Sequence, residues 1–165
     1  MPYTPKLRRV PDSLFIDNVL TIVKDDMKPA LDYFHAADAL PDFQERMLGR
    51  FFNQNYPSFA IEPDRNGPTT SADGSWVENA LRLNLFLAVS DVDAPTVERK
   101  AMKYTEALVS ILDNASVADY TTGATAGVIF ALTWDVSYGY GLLEKNATGW
   151  IKPVSFELLL KFNER

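Results

Sequence analysis

Five aliphatic residues at every second position, Leu81, Leu83, Leu85, Leu87 and Val89, constrain this chain more than any other feature. Arg82, Asn84, Phe86 and Ala88 stand between them. In an extended chain, alternation sends the two sets to opposite faces of a sheet. On a helix the same aliphatics would scatter around the axis, and no single buried stripe could use them. The segment therefore predicts a long strand over Trp76–Ser90 with one face in a core. A helix follows at once, over Asp93–Leu112. Asp93 is placed to cap it, Pro95 suits its first turn, and Glu98 complements the positive helix end. Val97, Ala101, Tyr104, Leu108 and Leu112 recur at spacings of three and four, which makes one apolar stripe.

With 165 residues the expectation is a single domain, 1–165. Residues 1–11 carry Pro2, Pro5 and Pro11 with Lys6, Arg8 and Arg9. Proline blocks helix and central strand alike, so this is read as an extended arm. It is either a solvated tail or an arm laid on a neighbouring subunit. Residues 12–54 are expected to be a helical segment. Asp12 or Ser13 would cap a helix holding Leu14, Phe15, Val19, Ile22 and Val23. Asp25 and Asp26 before Pro29 predict a break or kink, then a second helical piece with Leu31 and Phe34. Pro41 and Asp42 would open a third piece with Phe43, Met47, Leu48 and Phe51.

Residues 57–165 read as a sheet plus one long helix. Pro57 to Pro63 brackets a short strand of the kind found near an edge. Asp64–Ser75 is a polar loop with turn signals at Asn66-Gly67-Pro68 and Asp73-Gly74. Asp113–Ala124 is a second loop. A strand over 128–138 places Val128, Phe130, Leu132, Trp134 and Val136 on one face. Gly139-Tyr140-Gly141 is a hinge or turn. A last strand starts at Trp150 or Ile151 and runs almost to Arg165, with Val154, Phe156, Leu158 and Leu160 facing one way. The predicted fold class is α+β: a twisted, mostly antiparallel sheet of four or five strands, helices on one face, and a helical amino-terminal segment. The one helical crossover allows one parallel neighbour.

Chemistry is sparse. His35 is the single histidine, and a lone histidine does not make a metal site or a catalytic triad. Asp25/Asp26 and Asp91/Asp93 fit caps and turns better than a cation site. No glycine-rich phosphate loop precedes a helix. With no cysteine, thiolate chemistry is absent. The reading is no catalytic residue, no cofactor and no metal. A formal charge of −6 and a pI near 4.7 argue against a nucleic-acid binder, which needs clustered Lys and Arg. No apolar run reaches the ~20 residues of a membrane span. Met1–Val10 lacks the apolar core of a signal peptide, so a cytoplasmic setting is expected.

What remains is surface. Trp76, Tyr138, Tyr140 and Trp150 fall at strand ends and turns. There they are either caps on the core or subunit contacts. Strands longer than the usual five or six residues are expected to overhang a small domain and offer unpaired backbone. Glu78, Arg82, Glu157 and Lys161 would block or direct such pairing.

The order of elements resembles a family. Helices come first, then the Pro57–Pro63 strand, a loop, the long alternating strand ending in acids (Leu81 to Asp93), a helix rich in small and aliphatic residues, and two long strands to the end. Over roughly residues 43–165 this is similar to the tail terminator and neck proteins of long-tailed bacteriophages. The resemblance implies a non-enzymatic virion protein, assembled in the host cytoplasm. Such a protein forms a ring, six-fold in that family, that caps the tail tube and joins it to the head connector. DNA would pass through without specific binding. Partners would be further copies of the chain, the tail tube protein and the connector. A neighbouring head–tail adaptor, a host-side scaffold that dimerises by its sheet edge, and a small α+β enzyme or binding domain are the alternatives. Candidate subunit-interface residues are Arg65, Trp76, Arg82, Tyr138, Tyr140 and Trp150. The loops 64–75 and 114–123 are candidate docking loops.

Overall fold

The computed structural model describes residues 2, 9–49 and 55–165. Helix α1 spans Asp12–His35, α2 Ala94–Asn114 and α3 Val117–Thr121. The strands are β1 Glu45–Leu48, β2 Ser58–Asn66, β3 Thr69–Thr70, β4 Val77–Asp91, β5 Ile129–Tyr140, β6 Glu144–Asn146 and β7 Gly149–Glu164. The fold is α+β with one mixed sheet. Its order is β1-β2-β4-β7-β5, with β3 added to β4 and β6 to β7. Among the described residues seven strands stand where four or five were expected, because β3 and β6 are too short to leave a periodic signal. The parallel neighbours are β1 and β2; the other five pairings are antiparallel. The α2 crossover joins β4 to β5, but β7 lies between them.

The alternating strand behaves as its pattern demands. Leu81, Leu83, Leu85, Leu87 and Val89 are buried, and their neighbours are half-buried. Opposite them on β7 stand Leu160, Leu158, Phe156, Val154 and Lys152. The three helices share this face. Phe15 of α1 packs on Phe162, and Tyr120 of α3 packs on Trp134. On α2, Val97, Ala101, Tyr104, Leu108 and Leu112 are all buried. Asp93 caps α2 by accepting the Thr96 backbone N–H at 3.0 Å. At the sheet end, Lys152 of β7 reaches Glu98 of α2 at 2.9 Å, and Lys100 pairs with Asp91.

Several expectations are corrected. The helix α1 does not break: Pro29 lies inside it, and the stripe Val19, Val23, Met27, Leu31 stays buried on both sides. Packing along that stripe offsets the one lost backbone hydrogen bond. Its N-cap is Pro11 rather than Asp12 or Ser13, and Asp12 instead accepts a hydrogen bond from Asn66 at 2.8 Å. The helical segment 12–54 is not helical throughout. Residues 45–48 form β1, because pairing with β2 overrides local helix preference. Of the third helical piece, Phe51 lies outside the described residues, as do residues 1 and 3–8 of the arm.

The Pro57–Pro63 strand, β2, is interior, flanked by β1 and β4. Pro63 sits where the register shifts, past the residues that β1 covers. The loop 64–75 contains the end of β2 and all of β3, and the loop 113–124 contains α3. That short helix is set by a capping box between Ser116 and Asp119. Finally, the long strands do not overhang. β4 and β7 pair from Val77↔Glu164 to Asp91↔Trp150.

Candidate functional site

The unpaired backbone that the sequence suggested on β4 and β7 occurs instead on β5. All of its 12 residues but Phe130 pair with β7 on one side, and among the described residues no strand pairs with the other. In an antiparallel ladder every second residue turns its N–H and C=O outward. Edges of this kind are ordinarily blunted by Lys, Pro or brevity. β5 has no Lys and no Pro, and its one charge is Asp135. A register shift between Ile129 and Ala131 breaks the alternation, so Phe130 turns outward instead of joining the core face.

Tyr138 and Tyr140 sit near the carboxyl end of this strand. They are 52% and 44% exposed, and their rings stand edge to face at 5.9 Å. Tyr138 also lies on Phe156 at 5.8 Å, so it is anchored on one side and open on the other. Between these tyrosines and α2 runs a groove of about 410 Å³. Its α2 wall carries Met102, Thr105, Glu106, Val109, Ser110, Asp113 and Asn114. Thr105 is 2% exposed, and its hydroxyl has no hydrogen-bond partner among the described residues. No local pattern marks this groove, because it joins two elements that are separated by α3 and its loops.

The other interface candidates lie elsewhere. Arg65 and Arg82 face each other across β2 and β4 on the helix-free face. Arg82 also reaches Glu157 at 3.3 Å, which relieves the like-charge contact. Trp76 lies at the opposite end of the sheet, half-buried, with its ring edge to face with Phe130 at 6.3 Å. The Arg165 guanidinium stands 4.9 Å from that Phe130 ring. Trp150 is half-buried beside β6, with Lys145 at 5.6 Å from its ring. The structure thus brings Tyr138 and Tyr140 together at one edge and Arg65 and Arg82 together across β2 and β4, and leaves Trp76 and Trp150 apart from both pairs.

Ionisable groups are tied to local structure. His35 ends α1 with Nε2 2.9 Å from Glu106 Oε2. Lys100 beside Asp91 holds that carboxyl below its ordinary range. In the turn before β4, the Ser71 hydroxyl and the Ser75 amide and hydroxyl bring Asp73 down to about 2. Burial raises the phenols of Tyr104 and Tyr120. Among the described residues no three histidines or carboxylates converge on a point. No helix there is long and apolar enough to cross a membrane. No protein-family model matches the sequence, and no curated protein matches it.

Proposed function

We propose that this chain is a structural subunit that binds copies of itself through the outer edge of β5 and closes into a ring. The role proposed for the ring is that of the phage tail terminators the sequence resembles. It caps a tail tube and joins it to the head connector, without enzymatic activity. The observation that carries the reading is β5 itself: a long edge strand with neither Lys nor Pro, flanked by exposed aromatics. Such an edge is a template for another chain. A head-to-tail contact made through it generates a ring when the rotation between copies closes. The net negative charge suits a channel that DNA traverses, since like charge keeps phosphates from sticking.

The test is the mass of the purified chain by light scattering over a hundredfold concentration range, with negative-stain imaging. A closed ring, six-fold in the proposed role, is the expected result. A monomer at every concentration overturns the proposal. Should rings form, they should bind purified tail tubes at one end, and failure to do so would reject the terminator role while leaving the ring.

A further inference from the structure

A ring made through the outer edge of β5 needs a second surface on each copy to receive that edge. Pairing β5 with β5 of another copy is a two-fold contact, which ends at a dimer. The opposite end of the sheet is β1. It pairs with β2 on one side, and among the described residues no strand pairs with the other. Strand directions decide whether the two edges match. β1 runs parallel to β2, while the steps from β2 to β4, β4 to β7 and β7 to β5 are each antiparallel. Three reversals leave β1 and β5 antiparallel. A neighbour set beside β5 with its helices on the same side therefore brings its β1 antiparallel to β5. Like β5, β1 has neither Lys nor Pro. Its two charged side chains are engaged within their own copy: Arg46 reaches Asp42 at 2.5 Å, and Glu45 accepts from the Asn55 side-chain amide at 2.6 Å.

Side chains choose the register. Arg46 and Leu48 stand beside Phe59 and Ile61, which are buried opposite Leu87 and Leu85, so both lie on the face that the helices cover. Leu48 is nonetheless 59% exposed. The groove walled by Tyr138, Tyr140, Met102 and Val109 opens on the same face at the other edge. We propose that this groove receives Leu48 of a second copy, whose β1 extends the sheet antiparallel to β5. The proposal rests on the self-association argued above and names the surface that receives β5. With Leu48 opposite Tyr138, antiparallel pairing sets Arg46 opposite Tyr140, Met47 opposite Gly139 and Glu45 opposite Gly141. Gly139 has open space where a side chain would stand, which leaves room for Met47. Neither charge of β1 then faces Asp135, the one charge on β5. A shift of two residues one way carries Arg46 past the end of β5. The same shift the other way sets Leu48 beside Val136, which does not line the groove. Each copy gives β1 and offers β5, so ring closure covers both edges of every sheet.

The test uses the full chain, which has no cysteine of its own, so introduced cysteines report alone. Within one copy β1 and β5 are four strand spacings apart, about 19 Å. A disulfide needs Cα atoms closer than about 7 Å, so any link between the two edges joins two copies. Leu48→Cys mixed with Tyr138→Cys should cross-link on oxidation, and neither variant should do so alone. The chain carrying both should give a ladder of covalent multimers that ends at the size of the ring. Leu48→Asp should weaken association by about tenfold or more in sedimentation, because it carries an unpaired charge into the groove. Leu48→Met, close in volume, should assemble like the native chain and keeps the test clear of misfolding. Rings that tolerate Leu48→Asp and give no cross-link in the mixture overturn this inference and leave the ring standing. The cross-link in a chain that builds open filaments supports the inference and overturns the ring. A chain that stays monomeric, or stops at a dimer without the cross-link, overturns both.

Discussion

The carboxylate of Glu164 accepts the backbone N–H of Val10 at 2.6 Å and the side-chain amide of Asn79 at 3.1 Å. It is 1% exposed, and it ties the segment just before α1 to the last residue of the interior strand β7. Removing the acceptor leaves both donors buried and unpaired. Glu164→Ala should therefore cost about 2–6 kcal/mol of stability, from about 1–3 per orphaned donor. Glu164→Gln keeps one carbonyl oxygen and should cost less. Urea unfolding of the two variants measures the difference. Equal stability of Glu164→Ala and the native chain would show that the contact carries no weight.

Gly149 opens β7 at φ +157°, and a Cβ there would meet the backbone oxygen of Asp91 at 2.5 Å and the Val92 Cα at 3.0 Å. Neither atom is the end of a movable side chain. The β6–β7 turn can approach the end of β4 only through a glycine. Gly149→Ala should destabilise by more than about 2 kcal/mol, whereas Gly67→Ala, with open space around it, should be mild. Thermal unfolding of both separates the steric effect from the general cost of replacing glycine.

The Asp91–Lys100 pair makes stability depend on acid. The folded-state pKa of Asp91 is lowered, by the hydrogen bond from Lys100 above all. Its contribution is therefore present above the ordinary carboxylate value of about 3.9 and is lost as pH falls through the lower folded value. Asp91→Asn should flatten the stability curve below about pH 4 and lower stability modestly at pH 7. Chemical denaturation at a series of pH values, native against variant, checks the slope; parallel curves would rule the pair out as a source.

Proline at two adjacent positions distinguishes the inner from the outer side of β5. Of Ser137 and Tyr138, one turns its N–H toward β7 and the other away. Ser137→Pro and Tyr138→Pro should therefore behave oppositely. One loses a ladder bond and roughly 1–3 kcal/mol of stability. The other loses no ladder bond yet fails to assemble, with Tyr138→Ala as the control for the ring contact that Tyr138 makes with Phe156. Two variants that both assemble like the native chain would show that β5 is not the contact.

Much of the fold was legible in the residues. Leu81–Val89 declared a strand, Asp93 and the stripe from Val97 to Leu112 declared a helix, and Val154–Leu160 declared the last strand. Each is a local period or a cap. The misses have physical causes too. Glu45–Leu48 is a strand because β2 offers it partners, and no four-residue period can announce that. Phe130 looked like a core residue until a register shift turned it outward. Of the interface candidates, Tyr138 and Tyr140 meet at one edge, while Trp76 and Trp150 sit at opposite ends of the sheet. Thr105, Glu106 and Asp113 looked like ordinary helix residues and became a groove wall only when β5 was laid beside α2.

For the long elements, local periodicity determined which are extended, which are helical, and most of the side chains that enter the core, since burying a face requires that face to recur with the backbone's own repeat. The order of strands came from the tertiary structure. Inserting β7 between β4 and β5 satisfies both long strands along their whole length and pushes β5 to the margin. Hydrogen bonding between strands is made by the backbone that every residue shares, so the sequence carries no mark of which strand is left with its outer side unpaired.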